Sequence, residues 1–203
     1  MTDTTADDPA PTPGTPAGAA PPVDPRWPRA AAWLAAGTGA SGSVDLAVLG
    51  VPTWRTSLSP TGAHATPAAV RAALARYTTW AEGHGVDVAG LSVADLGDVD
   101  DPDGPEGEAR TVDAAAAARC RLLVALGGDN SLTYAVALGA WGDGLPSAGL
   151  ITWDAHHDLR DGVSNGSPVR RLVAAGLPGT RVVQIGLLDF ANSAEYSARA
   201  RAL

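Results

Sequence analysis

Gly149-Leu150-Ile151-Thr152-Trp153 runs directly into Asp154-Ala155-His156-His157-Asp158, and this stretch decides the reading of the fold. A short apolar run that gives way to polar residues reads as a buried strand with a loop at its carboxyl end. Asp154, His156 and Asp158 stand at i, i+2 and i+4. An extended backbone puts them on one face and His157 on the other. Carboxylate oxygen and imidazole nitrogen together suit Mn, Fe, Zn or Ni. Fully extended, Asp154 and Asp158 would lie about 13 Å apart, whereas two bridged metals are only about 4 Å apart. The backbone must therefore curl after His156 if both carboxylates serve one centre. Taken alone, the cluster reads equally as a metal site or as ordinary polar loop residues.

Working outward, Leu122 to Leu126 is a second buried strand, stopped by Gly127-Gly128 and followed by Asp129-Asn130-Ser131 and a helix to Trp141. Val44 to Leu49 is a first strand ended by Gly50. Thr66-Pro67 opens a helix through Val70, Leu74 and Tyr77, with Thr66 as cap and Pro67 at the first position, where it costs no hydrogen bond. Leu91 to Leu96 is a strand, and Asp100 to Gly107 a loop. Asp98, Asp100 and Asp101 form a solvated acidic segment. Thr111 to Arg121 reads as an Ala-rich helix carrying Cys120 late as a packed thiol. Further on, a helix runs from Pro168 to Gly176, a strand from Arg181 to Ile185, and a helix from Ser193 to Leu203. Strands alternating with helices mean βαβ units and a parallel sheet. Sites in such sheets form beyond the carboxyl ends of strands. The strands ending at Leu126 and Trp153 are expected to run parallel, so that Asn130 and Asp154 face one cleft.

The 203-residue chain is long enough for one domain with a real core. Hydrophobic residues at 45% and charged residues at 18% fit a soluble globular protein. A net charge of −8 argues against a nucleic-acid partner, which needs clustered Lys and Arg. A single cysteine excludes an intrachain disulfide and fits a reducing cytoplasm. No apolar run is long enough to span a membrane, and no secretory signal opens the chain. Residues 1–24 read as a disordered tail rich in Pro, Ala, Thr and Asp. Residues 25–42 read as a docking segment with Trp27, Trp33 and Leu34 plus a Gly-rich joint, and residues 43–203 as the domain. His64 and His84 stand alone and carry no catalytic expectation.

The motifs together are more specific than any one of them. Asp154-Ala155-His156-His157-Asp158 after a strand, preceded by Gly127-Gly128-Asp129-Asn130-Ser131, resembles the ureohydrolase family of arginases, agmatinases and formimidoylglutamases. Gly62 to Arg71, Leu96-Gly97-Asp98-Val99 and Ser164-Asn165-Gly166-Ser167-Pro168 resemble further family segments in the same order. The resemblance covers Val44 to Leu203. It implies a three-layer α-β-α fold with a mostly parallel, arginase-like sheet that lacks its last strands. It also implies a binuclear Mn(II) hydrolase whose two metals activate a hydroxide against a guanidinium or formimino carbon. Carried over residue by residue, Asp154 bridges the metals, His156 and Asp158 each bind one, and Asn130 is a weak ligand where the family usually has His. Asn165 replaces a loop histidine used as a proton shuttle in arginase-like members, and it cannot titrate. No later Asp-x-Asp pair follows Ile185, so the second metal site is expected to be incomplete.

Within the family, Asp154 to Arg160, the Ser164 to Ser167 loop and Phe190-Ala191-Asn192-Ser193 resemble the formimidoylglutamase branch, which also lacks the loop histidine. That implies N-formimidoyl-L-glutamate as substrate, in histidine catabolism. Asn165 and Ser167 are its expected contacts, with Arg160 or Arg170 as a carboxylate clamp. An agmatinase or other guanidino hydrolase is the alternative. An inactive truncated homologue or binding protein is another. A homo-oligomer is the family expectation.

Overall fold

The computed structural model describes residues 24–37 and 42–203. The expected tail over residues 1–23 and most of the Gly-rich joint lie outside the described residues.

The chain enters through helix α1 (Ala30–Ala36), then strand β1 (Val44–Val51) and helix α2 (Thr66–Ala73). Thr66 is the first helical residue and makes no side-chain cap, but Pro67 sits in the first turn as expected. A small antiparallel hairpin, β2 (Trp80–Ala81) with β3 (Val86–Asp87), was not expected from the sequence. Strand β4 (Val93–Asp98) follows. Helix α3 (Gly104–Ala117) begins earlier and ends earlier than its sequence pattern indicated. The expected loop from Asp100 to Gly107 is therefore partly helix, because Pro105 in the first turn favours helix entry. Cys120 is not in a helix; it opens strand β5 (Cys120–Gly127) and is half-buried. Helix α4 (Leu132–Trp141), strand β6 (Leu150–Trp153), helix α5 (Pro168–Ala175), strand β7 (Val182–Ile185) and helix α6 (Ala194–Arg201) complete the order.

β1 lies between β4 and β5, parallel to both. Its side chains alternate between two faces, and both are covered, as a central parallel strand requires. Val48 packs with Leu34 of α1 and with Val93. Leu49 and Val51 pack with Ala115 of α3 and with Leu132 and Val136 of α4. Helices on both faces make the layers α-β-α.

One expectation fails in an informative way. The parallel strands do not form one continuous sheet. β6 and β7 pair with each other in parallel but not with β5. The two pieces are joined through helices. Ala137 of α4 and Leu172 of α5 share a core with Leu150 of β6 and Val182 of β7. Arg171 of α5 stacks on Tyr134 of α4, 3.7 Å from the ring centroid, and makes a bidentate pair with Glu108 of α3 at 2.6 and 2.7 Å. The other face of β6 and β7 is bare: Ile151 is 70% and Trp153 84% exposed, and Val183 and Ile185 lie beside them. An apolar face of this kind beside unpaired strand edges invites association. Among the described residues no helix is long and apolar enough to cross a membrane.

The acidic segment is not simply solvated. Asp98 pairs with Arg71, which also grips Asp95 at 2.9 Å, and Asp101 pairs with Arg55 at 2.7 Å.

The carboxyl ends of β1 and β5 meet at a glycine. Gly128 N–H donates to Val51 O at 3.0 Å, and Asp129 N–H to Thr53 O at 2.9 Å. A Cβ at Gly128 would lie 2.0 Å from Thr53 O. Gly128→Ala is therefore expected to lower unfolding stability by about 1–3 kcal/mol. Urea denaturation checks this, and a loss within about 0.5 kcal/mol, the scale of a neutral surface change, would show that the approach is not tight.

Candidate metal centre

β6 delivers Asp154 to the edge of a cavity of about 410 Å³. His156, His157, Asp158, Arg160, Asn130 and Asn165 line the same cavity. The residues expected from three separate motifs therefore meet in one place, and Asn130 and Asp154 share one cleft.

The curl required after His156 is present. Asp158 has φ of 55°, in the left-handed region that Asp tolerates better than most residues. Its carbonyl accepts from Arg170 N–H at 3.2 Å, tying the turn to the first residues of α5. The turn buries the Asp158 side chain, leaving the residue 5% exposed. Asn130 Nδ2 donates to Asp158 Oδ2 at 2.7 Å, while Asn130 Oδ1 accepts from Thr133 Oγ1 at 2.7 Å. Asn130 thus presents N–H rather than carbonyl oxygen to the site. Through that bond it holds Asp158.

Asp154 Oδ1 accepts from His156 N–H at 2.7 Å and lies 3.1 Å from His156 Nδ1. With the proton on Nδ1, the Nε2 lone pair of His156 is left open. His157 is committed differently. Its Nδ1 is 2.7 Å from Gln184 Oε1, and Gln184 Nε2 donates to His157 O at 2.9 Å.

Burial, first, and then the neighbouring charge of Asp154 push the Asp158 carboxyl up to about 6. Burial and a second carboxylate together disfavour the charged form there. Two carboxylates and an imidazole fit a divalent first-row ion in donor chemistry. Among the described residues, however, no three His, Cys, Asp or Glu side chains converge closely enough to enclose one as they stand. In this arrangement Asp154 is bonded to His156 and Asp158 to Asn130.

The four expected substrate contacts separate. Asn165 lines the cavity; its Oδ1 accepts from Leu58 N–H at 3.2 Å, which leaves Nδ2 free to donate. Arg160 lines the cavity, and its guanidinium has no hydrogen-bond or ion-pair partner among the described residues. Gly166 makes room for it, since a Cβ there would lie 2.8 Å from Arg160 Cδ. Arg170 does not reach the cavity; its guanidinium donates to Arg160 O at 2.6 Å and to Gly162 O. Ser167 is fully buried, and its hydroxyl donates to Ser164 O at 2.8 Å. Those two residues are bonded within the loop and do not line the cavity. His64 packs against the Trp54 ring at 5.3 Å between centroids, and exposed His84 sits in the turn of the hairpin.

The sequence reading missed Thr133, Gln184 and the contacts of Asp129. Asp129 is buried and accepts from Ser57 Oγ and from Ser131 N–H, so it anchors the loop after β1 against the end of β5. A polar residue directly after a strand-ending glycine pair was the available signal.

The arginase family matches residues 44–202. The chain belongs to the arginase family. Formimidoylglutamase of Halalkalibacterium halodurans is 34% identical over 164 residues, covering 73% of this chain and 50% of that protein. Formimidoylglutamase of Bacillus subtilis is 31% identical over 166 residues, covering 76% and 52%. The chain spans about half the length of these relatives. The crystal structure of the Bacillus subtilis formimidoylglutamase superposes with a TM-score of 0.79 at 26% identity, over 93% of this chain and 61% of that one. Trypanosoma cruzi formiminoglutamase with Mn2+2 superposes with a TM-score of 0.76 at 23% identity, over 86% and 62%, which speaks to the fold alone. The α/β fold is thus arginase-like, and the family's enzymes act on small molecules.

The raised Asp158 carboxyl predicts a pH dependence for chelator-treated chain. Unfolded, the group titrates near its ordinary 3.8; folded, near 6. The folded state then binds more protons between those values, so this group's contribution to stability is greatest below pH 3.8, falls as pH rises to about 6, and is flat above. Asp158→Asn keeps the left-handed turn and removes the charge. It is expected to raise the melting temperature at pH 7.5 by about 2–4 °C and to flatten the profile between pH 4 and 6. A lower melting temperature at pH 7.5 would contradict the assignment.

Proposed function

We propose that this chain carries one side of the active site of a metal-dependent hydrolase of a formimino C–N bond, with N-formimidoyl-L-glutamate as substrate. The observation that carries it is the shared cavity. Asp154, His156 and Asp158 line it together, and Arg160 lines it too, with no partner for its guanidinium among the described residues.

Asp154, His156 and Asp158 would hold Mn(2+), ideally as part of a two-metal site. Bound there, the metal would supply Lewis acidity and make water available as a nucleophile near neutral pH. The chain's own residues do the rest. Asn130 holds Asp158 in the turn through its amide. Asn165 offers Nδ2 to a polar group of the substrate. Arg160 meets a substrate carboxylate, a planar and doubly hydrogen-bonded match that a guanidinium provides. An anionic substrate suits this arrangement better than agmatine, whose cationic tail Arg160 would repel. For this reason the formimidoylglutamase reading is preferred to the agmatinase one.

Among the described residues, Asp154, His156 and Asp158 are the candidate ligands, and Asn130 turns its N–H towards Asp158. Purified chain titrated with Mn(2+) is therefore expected to bind it weakly and to turn over none of formimidoylglutamate, agmatine or arginine at an enzyme-like rate. Two tightly bound ions per chain, or turnover of any of the three, would show that the site is complete as it stands.

The clamp has a separate test. In the presence of Mn(2+), saturation-transfer NMR is expected to detect formimidoylglutamate on the native chain. Arg160→Ala is expected to weaken that binding by about tenfold, a change of about 1.4 kcal/mol, and Arg170→Ala to do so only through loss of fold. Equal binding by native and Arg160→Ala chains would remove Arg160 from the site.

A further inference from the structure

The loop that carries His156 is gripped from outside by one side chain. Asn192 lies between β7 and α6 and forms part of the cavity wall. Its Oδ1 accepts from His157 N–H at 2.9 Å, and its Nδ2 donates to Ala155 O at 3.0 Å. These two groups belong to the peptide units on either side of the His156 Cα. Each peptide unit is planar, so the φ and ψ of His156 are set by the relative orientation of those two planes. One side-chain amide therefore holds both planes that fix where the His156 imidazole goes.

The two contacts are not equivalent. Ala155 O also accepts from Leu188 N–H at 3.1 Å, whereas His157 N–H has Asn192 as its acceptor. Gln184 closes the far end of the same segment by taking both the ring and the carbonyl of His157. Asn is suited to this position because its side chain offers an acceptor and a donor side by side. Aspartate would keep the first contact and set a carboxylate against the Ala155 carbonyl. Alanine would lose both.

We propose that Asn192 is a positioning residue for His156, fixing the imidazole in place for a divalent cation. The inference rests on the metal reading of the cavity given above, and it concerns a residue beyond the ligand set. Outer residues that orient a ligand commonly change metal affinity by about 10–100-fold when removed.

The test is a double-mutant cycle on the full chain, with Mn(2+) as probe and free ion followed by electron paramagnetic resonance. Asn192→Ala is expected to weaken Mn(2+) binding about 10–100-fold. In a His156→Ala background the same change is expected to cost less than about threefold, because the ligand it positions is gone. An equal cost in both backgrounds would mean that Asn192 only supports the fold, and no cost in the native background would also overturn the proposal. If Asn192→Ala does not fold, as judged by circular dichroism, Asn192→Asp takes its place in the cycle with the same criterion.

Amide hydrogen exchange of the metal-free chain decides the brace separately from the metal. The His157 amide is expected to exchange slowly in the native chain and at least about tenfold faster in Asn192→Ala, while the Asp154 amide, bonded to Ile185 O at 3.0 Å, stays unchanged. Unaltered exchange at His157 would overturn the brace. A native chain that binds no Mn(2+) would instead sink the metal reading, with the exchange result still standing for or against the hold on His156.

Discussion

A hydrogen bond from the Asn130 amide to the Asp158 carboxylate joins two parts of the molecule that no backbone ladder connects. Asn130 follows β5 in the three-stranded piece, and Asp158 follows β6 in the two-stranded piece. The helices make this meeting possible. α4 and α5 share a core, and the Arg171–Glu108 pair under Tyr134 locks them to α3. With the helices fixed, the carboxyl ends of β5 and β6 come within side-chain reach, and the turn at Asp158 does the rest.

That turn concentrates negative charge at the site. The left-handed conformation at Asp158 folds its carboxyl back towards Asp154, and burial then makes the pair of charges unfavourable. The donors that meet these oxygens are the Asn130 amide for Asp158, and the backbone and ring of His156 for Asp154. A divalent ion would compete with those hydrogen bonds for the same oxygens. Proton and metal are alternative answers to one local excess of negative charge.

Much of this was legible in the sequence because the signals are local. Alternating strands and helices, the polar residues after Trp153 and the Gly127-Gly128 stop all follow from neighbours in the chain, and they placed the cavity correctly. The curl after His156 followed from distance alone. What escaped was non-local. That β6 would not pair with β5 depends on what else lies in the sheet, and periodicity within a strand carries no information on its neighbours. Arg160 and Arg170 have the same chemistry in sequence. Only the fold shows one facing the cavity and the other held on the Arg160 and Gly162 carbonyls. Asn192 lies 37 positions from Ala155, and no spacing rule links them.

Anomalous diffraction at the manganese edge, on crystals of the chain soaked in Mn(2+), decides whether the loop from Asp154 to Asp158 takes a metal through His156 and not His157. The expected result is a peak in the cavity coordinated by the carboxylates of Asp154 and Asp158 and by a ring nitrogen of His156, with His157 still bonded to Gln184. A peak coordinated by His157 without His156, or ordered manganese only outside this cavity, would contradict it.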